Sequence, residues 1–124
     1  MIDLSKVCNY YVACGYTDLR FGIQGLTAIV TQQYGKLMDE ESLFLFCGRR
    51  TDRIKALYWS GDGYILLYKR LSNGHFQWPR SEEELRLMDR QRFRWLMEGL
   101  KVEQKTAIRK GKPKDLFRKN NSQN

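Results

Sequence analysis

Between Gly48 and Arg80 the chain carries seven cationic side chains, Arg49, Arg50, Arg53, Lys55, Lys69, Arg70 and Arg80, against two carboxylates, Asp52 and Asp62. Cations at that density attract phosphate whatever the base sequence, and the six aromatic residues interleaved with them can stack on nucleobases or pack into a core. These seven are the candidate nucleic-acid-binding residues. Other chemistries are thinly provided. Asp52 and Asp62 flank the basic segment as a nuclease-like metal pair would, yet both stand at turns, where Asp is favoured because its side chain bonds the local backbone. The single histidine, His75, excludes a two-histidine metal site, and it sits in a β-turn after Gly74 where a solvent-facing side chain is the default. Gly61, Asp62 and Gly63 lack the spacing and the following Lys-Ser or Lys-Thr of a phosphate loop. Three cysteines, Cys8, Cys14 and Cys47, are odd in number and have no Cys-x-x-Cys spacing, so neither a disulfide framework nor a zinc site is indicated. No catalytic residue, metal, cofactor or small-molecule substrate is expected.

Positioning those cations is the work of an α+β domain. Tyr10 to Cys14 is a β-prone run ended by Gly15. Thr17 or Asp18 is placed to cap a helix whose apolar positions, Leu19, Ile23, Leu26, Ile29 and Val30, recur at three and four residues, and Gly35 stops it. Gly22 and Gly25 inside it suggest close packing on a sheet. Leu43 to Cys47 reads as a buried strand. The next strand, Arg53 to Trp59, alternates Arg53, Lys55, Leu57 and Trp59 with Ile54, Ala56 and Tyr58. Ser60 to Gly63 form a turn and Tyr64 to Leu71 returns, followed by a turn at Asn73 and Gly74 and a short Phe76 to Trp78 strand ended by Pro79. Four antiparallel strands in a meander are expected. From Ser81 the pattern turns helical, with Asp89 capping a helix through Phe93, Leu96, Met97 and Leu100. The fold expected is therefore a small antiparallel sheet packed with an N-terminal and a C-terminal helix.

A chain of 124 residues with 42% hydrophobic residues suffices for one modest core. No run approaches the roughly 18 apolar residues of a membrane span, and the first residues lack the order of a signal peptide, so a cytoplasmic protein is expected. The net charge of +8 is concentrated at the end. Residues 101–124 hold eight Lys or Arg against Glu103 and Asp115. Such a segment buries too little to offset its ordering entropy, so residues 1–100 are expected to form the domain and 101–124 a disordered basic tail suited to gripping nucleic acid.

The segments YVACGYTDLRFGIQGL at 11–26, GRRTDRIKALYWSGDGYILLYKRL at 48–71 and GHFQWP at 74–79 together resemble the TnpB or Orf2-like accessory proteins of bacterial insertion sequences of the IS-sixty-six type. The resemblance covers about residues 7 to 100, with three motifs in the family's order. The motif positions include Gly15, Thr17, Asp18 and Arg20, then Gly48 and Asp52, then Trp59, Gly61, Asp62 and Gly63, and finally Trp78 and Pro79. The chain departs from the pattern at Phe21, Gln24, Ser60 and His75, the last two altering local charge. What the resemblance implies is a non-catalytic partner in DNA transposition, encoded beside a short TnpA-like protein and a large transposase that carries the strand-transfer chemistry.

Two mechanisms fit that expectation. In one, the basic residues contact DNA phosphates. In the other, the chain docks on the transposase through an exposed sheet edge or the arginine-bearing helix without touching DNA. Trp59, Tyr68 and Trp78 are either apolar anchors or sheet core, and Arg50, Asp52, Arg53 and Asp62 either bind or pair among themselves.

Overall fold

The run Leu43-Phe44-Leu45-Phe46 has no polar face, and such a strand must lie where both sides of a sheet are covered. In the computed structural model, which describes residues 3–80 and 82–102, it does. Strand β2 (Ser42–Cys47) is buried at every position in the centre of a five-stranded sheet. β1 (Asn9–Ala13) runs parallel to it on one side, and β3 (Arg53–Trp59) runs antiparallel on the other. β4 (Tyr64–Arg70) follows β3 as a hairpin at one edge, and β5 (Leu85–Met88) pairs antiparallel with β1 at the opposite edge, giving the order β4-β3-β2-β1-β5.

Alternation along the strands sorts their side chains into two cores. On one face Phe44, Phe46 and Leu57 pack with Leu26 and Val30 of the crossover between β1 and β2. That crossover holds helix α1 (Ile23–Ala28), which widens into a π-helical segment, Ile29–Gln33. On the other face Val12, Leu43, Leu45, Phe76, Trp78 and Leu96 form the second core, under helix α2 (Arg90–Met97). Val102 is buried against it as well. Asp89 caps α2 as expected, accepting a hydrogen bond from the Arg92 amide at 2.8 Å. Among the described residues no helix is long and apolar enough to cross a membrane.

The α+β class, with a helix from each half of the chain laid on the sheet, agrees with the sequence, and so do β2, β3 and β4. Several details differ. The meander is three strands long, β2, β3 and β4, and β1 joins it in parallel through the α1 crossover, so the sheet is mixed. α1 starts at Ile23 rather than after Asp18. Thr17 is buried with its amide donating to the Cys47 carbonyl at 2.9 Å, and the Asp18 carboxylate turns onto the Arg20 amide and guanidinium, so neither caps the helix. Gly25 makes room for the Phe21 side chain rather than for the sheet, since a Cβ there would stand 2.9 Å from the Phe21 ring. Gly35 ends the helical stretch as expected, at φ +66°.

The last difference is the largest. Phe76 to Trp78 is not a strand. The chain leaving β4 must cross the sheet to reach the far side of β1, and residues 71–80 make that crossing irregularly, with Phe76 and Trp78 buried beneath it. The Trp78 Nε1–H donates to the Ala13 carbonyl at 2.9 Å, and the Gly15 amide to the Pro79 carbonyl at 2.9 Å. The segment expected to be helical from Ser81 instead supplies β5 before α2 begins. Of the expected basic tail, 101–124, residues 103 onward lie outside the described residues.

Candidate nucleic-acid interface

Because β1 and β2 are parallel, their carboxyl ends lie side by side, and the loops that leave them meet. The first loop carries Gly15 to Phe21 and the second Gly48 to Asp52. Gly48 stands at the point of contact, where a Cβ would lie 3.4 Å from both the Leu19 side chain and the Thr17 carbonyl oxygen. β3 starts and β4 ends at this same end of the sheet, and α1 covers the α1-side face only farther along, over Leu57. The result is an open cleft of about 940 Å³, bordered by the two loops, with Leu19, Leu66 and Tyr68 among its lining. Its lining includes five cations, Arg20, Arg49, Arg50, Arg53 and Lys55, and one carboxylate, Asp18.

Register decides which of the candidate cations share this face. Residues directly opposite each other in an antiparallel pair point to the same side. Arg53 is opposite Arg70, and Lys55 is opposite Tyr68, so Arg70 stands beside the cleft. Lys69 is opposite Ile54, a residue of the other core, and therefore points to the α2 side of the sheet. The structure separates Lys69 from the other basic residues.

Several of the cations already have partners. Arg53 is held by Asp52 at 2.9 Å, both side chains being largely buried, and this bond keeps the Asp52 carboxyl below its ordinary pKa. Arg20 pairs with Asp18 at 2.7 Å and, with its own amide, lowers that carboxyl to about 2. Lys55 reaches across the cleft to donate to the Phe21 carbonyl at 3.0 Å. Arg80 is the most committed. Its guanidinium donates to the carbonyls of Gly15 and Gly48, joining the two loops, and lies 4.1 Å from the centre of the Tyr16 ring. Arg80 builds the cleft from behind rather than lining it. Arg49, 5.2 Å from the same ring, and Arg50 remain exposed at the mouth.

The motif residues divide between two places. Gly15, Thr17, Asp18, Arg20, Gly48 and Asp52 surround the cleft, and Trp78 and Pro79 pass behind it. Trp59, Gly61, Asp62 and Gly63 lie at the other end of β3, where the Ser60 hydroxyl lies 2.9 Å from both the Asp62 carboxylate and the Gly63 carbonyl, either of which can accept its proton. A seven-residue strand spans roughly 20 Å. Asp62 therefore cannot join the Asp52–Arg53 pair, nor can Asp52 and Asp62 bind one metal ion. His75 is exposed, its Nδ1 3.3 Å from the Thr51 hydroxyl. Cys14 and Cys47 are buried thiols. Burial pushes Cys47 to about 11 despite the neighbouring Arg80, so it is uncharged at neutral pH.

Of the three aromatics in question, Trp78 is core, Trp59 is half-buried against Tyr64, and Tyr68 is 55% exposed in the cleft. Sequence reasoning missed Tyr16, Leu19 and Leu66 as parts of the site. For Tyr16 a signal was present, since it lies in the first family-like segment between Gly15 and Thr17.

Comparison with known proteins bears on what this cleft serves. A family model described as "IS66 Orf2 like protein" matches residues 8–107. Two Sinorhizobium fredii proteins are similar along most of the chain. "Uncharacterized protein y4jC" is 34% identical over 102 residues, covering 81% of this chain and 86% of its own length. "Uncharacterized protein y4hO" is 33% identical over 101 residues, covering 81% and 87%. No solved structure matches. With the family match spanning both loops of the cleft, the whole sheet and α2, the chain belongs to the IS66 Orf2-like family of transposition accessory proteins.

Proposed function

We propose that this chain is a non-catalytic accessory factor that contacts DNA during transposition through the cleft at the carboxyl end of β1 and β2. The observation that carries this reading is the charge of the lining, five cations against one carboxylate, on a surface whose loops come from two of the three family-like segments. Phosphate is the ligand this charge favours, and the attraction requires no particular base sequence.

The test is anisotropy binding of the full chain to random-sequence duplex DNA across a salt series. Each phosphate neutralised contributes about −0.9 to the slope of log affinity against log salt. Arg49, Arg50 and Arg70 give a slope of about −3, and recruitment of Arg20, Arg53 and Lys55 takes it towards −5. Replacing both Arg49 and Arg50 with Ala is expected to flatten the slope by about 2, whatever residues 103–124 add to both proteins. A salt-independent or absent interaction overturns the reading. It would favour docking on the transposase, for which β4 is suited as an edge strand with one unpaired side among the described residues.

A further inference from the structure

The shape of the cleft distinguishes between forms of DNA. A duplex carries its phosphates on a convex surface and keeps its bases inside, so it meets the cationic rim but has nothing to place on the apolar part of the lining. An unpaired strand can run its phosphates along the rim and turn its bases inward. Here the lining combines apolar side chains, Leu19, Leu66 and Tyr68, with the cations Arg20, Arg49, Arg50, Arg53 and Lys55. It is an open cleft whose volume of about 940 Å³ lies within the range, roughly 300–1,000 Å³, of sites that take a small ligand such as a single base.

The aromatic rings point the same way. Two large rings border this cleft, Tyr16 at 62% and Tyr68 at 55% exposure, and an exposed ring is a surface on which a base can stack. Neither ring is loose. Tyr16 lies over the Arg80 guanidinium, which two backbone carbonyls immobilise, and Tyr68 sits on β4 opposite Lys55, whose ammonium is 6.0 Å from its centre. Each ring has a cation near its face that is itself fixed by backbone carbonyls, Arg80 by those of Gly15 and Gly48 and Lys55 by that of Phe21, so the rings are pre-ordered, which lowers the entropy lost when a base settles beside them.

We propose that the cleft binds unpaired DNA, with phosphates on Arg49 and Arg50 and a base stacked on Tyr68. This rests on the DNA-contact reading above and narrows it to a single-stranded ligand. The strand enters over the exposed mouth between the two loops, where Arg49 and Arg50 take its backbone. The base then lies against Tyr68 and the side chains of Leu19 and Leu66, out of water.

The experiment compares the full chain's affinity for labelled oligothymidylate and for a duplex of equal length at one salt concentration. The single strand is expected to bind more tightly. Tyr68→Ala is expected to weaken single-strand binding by about five- to hundredfold, the value of one stacked base, and duplex binding by much less. Tyr68→Phe, which keeps the ring, should restore it. Tyr64→Ala, a change to the same residue type on the same strand and face but outside the cleft, should have no such effect. Equal or stronger duplex binding that still depends on Arg49 and Arg50 overturns the single-strand inference and leaves the DNA-contact reading standing. A preference for single strands with equal losses in the Tyr68 and Tyr64 variants overturns the stacking site. Binding of neither form removes both readings.

Discussion

Arg80 gives the sharpest test of how the cleft is built. Its guanidinium joins the loop after β1 to the loop after β2 by donating to the Gly15 and Gly48 carbonyls, and it supports the Tyr16 ring at 4.1 Å. A hydrogen bond from a charged donor contributes about 1.5–3 kcal/mol, and a cation–π contact to an exposed ring about 0.5–1 kcal/mol. Arg80 is only half-buried, so water can reach the two carbonyls once the guanidinium is gone and recovers about half of this. Arg80→Met, which keeps the aliphatic stem, is therefore expected to cost about 2–4 kcal/mol, a large share of the roughly 5–15 kcal/mol that stabilises an ordinary domain. Arg80→Lys keeps the charge but has no fork to span two carbonyls, and it should recover less than half of that loss. Urea denaturation followed by tryptophan fluorescence measures both. The opposite outcome is equally well defined. If Arg80 were a phosphate ligand, as its place in the sequence suggests, either variant would stay within about 0.5 kcal/mol of the parent, and the Met variant would flatten the DNA salt slope by about 1. That pair of results would refute the assignment of Arg80 to the scaffold.

Two further outcomes follow from the geometry. Trp78→Phe removes the indole donor from the Ala13 carbonyl at a buried position and should lower unfolding free energy by about 1–3 kcal/mol; a variant as stable as the parent would show that the bond contributes nothing. The Asp18 carboxyl, lowered from 3.8 to about 2 chiefly by its bond to Arg20, favours the folded chain while ionised. Because the folded value is the depressed one, that contribution is complete above the unfolded pKa and is lost as pH falls through about 2. Asp18→Asn should therefore lower the urea midpoint slightly at neutral pH and by progressively less below about pH 4, and a deficit that persists unchanged in acid would contradict the ion-pair origin.

Local physics is what the sequence determined here. The unbroken apolar run of β2, the two-residue alternation of β3, the Gly-rich turn into β4 and the Asp89 cap of α2 are each decided by residues within a few positions of one another, and each is where the sequence indicates. The concentration of cations around Arg49 to Lys55 is likewise visible in one dimension. β5 was not, because four residues of Leu-Arg-Leu-Met carry too little alternation to separate strand from helix, and it is the unpaired edge of β1, about 70 residues earlier, that makes it a strand. The same distance hides the role of Arg80. Its charge reads as part of a basic cluster until the crossing segment brings it behind two loops whose carbonyls are short of donors. Tertiary pairing also turned Lys69 away from Arg70, since neighbours along a strand point to opposite faces, and brought Tyr16 and Tyr68, distant in the chain, to one cleft. Composition set the charge of this protein, while the parallel placement of β1 against β2 decided where that charge lines a cleft, because side-by-side carboxyl ends bring both loops together.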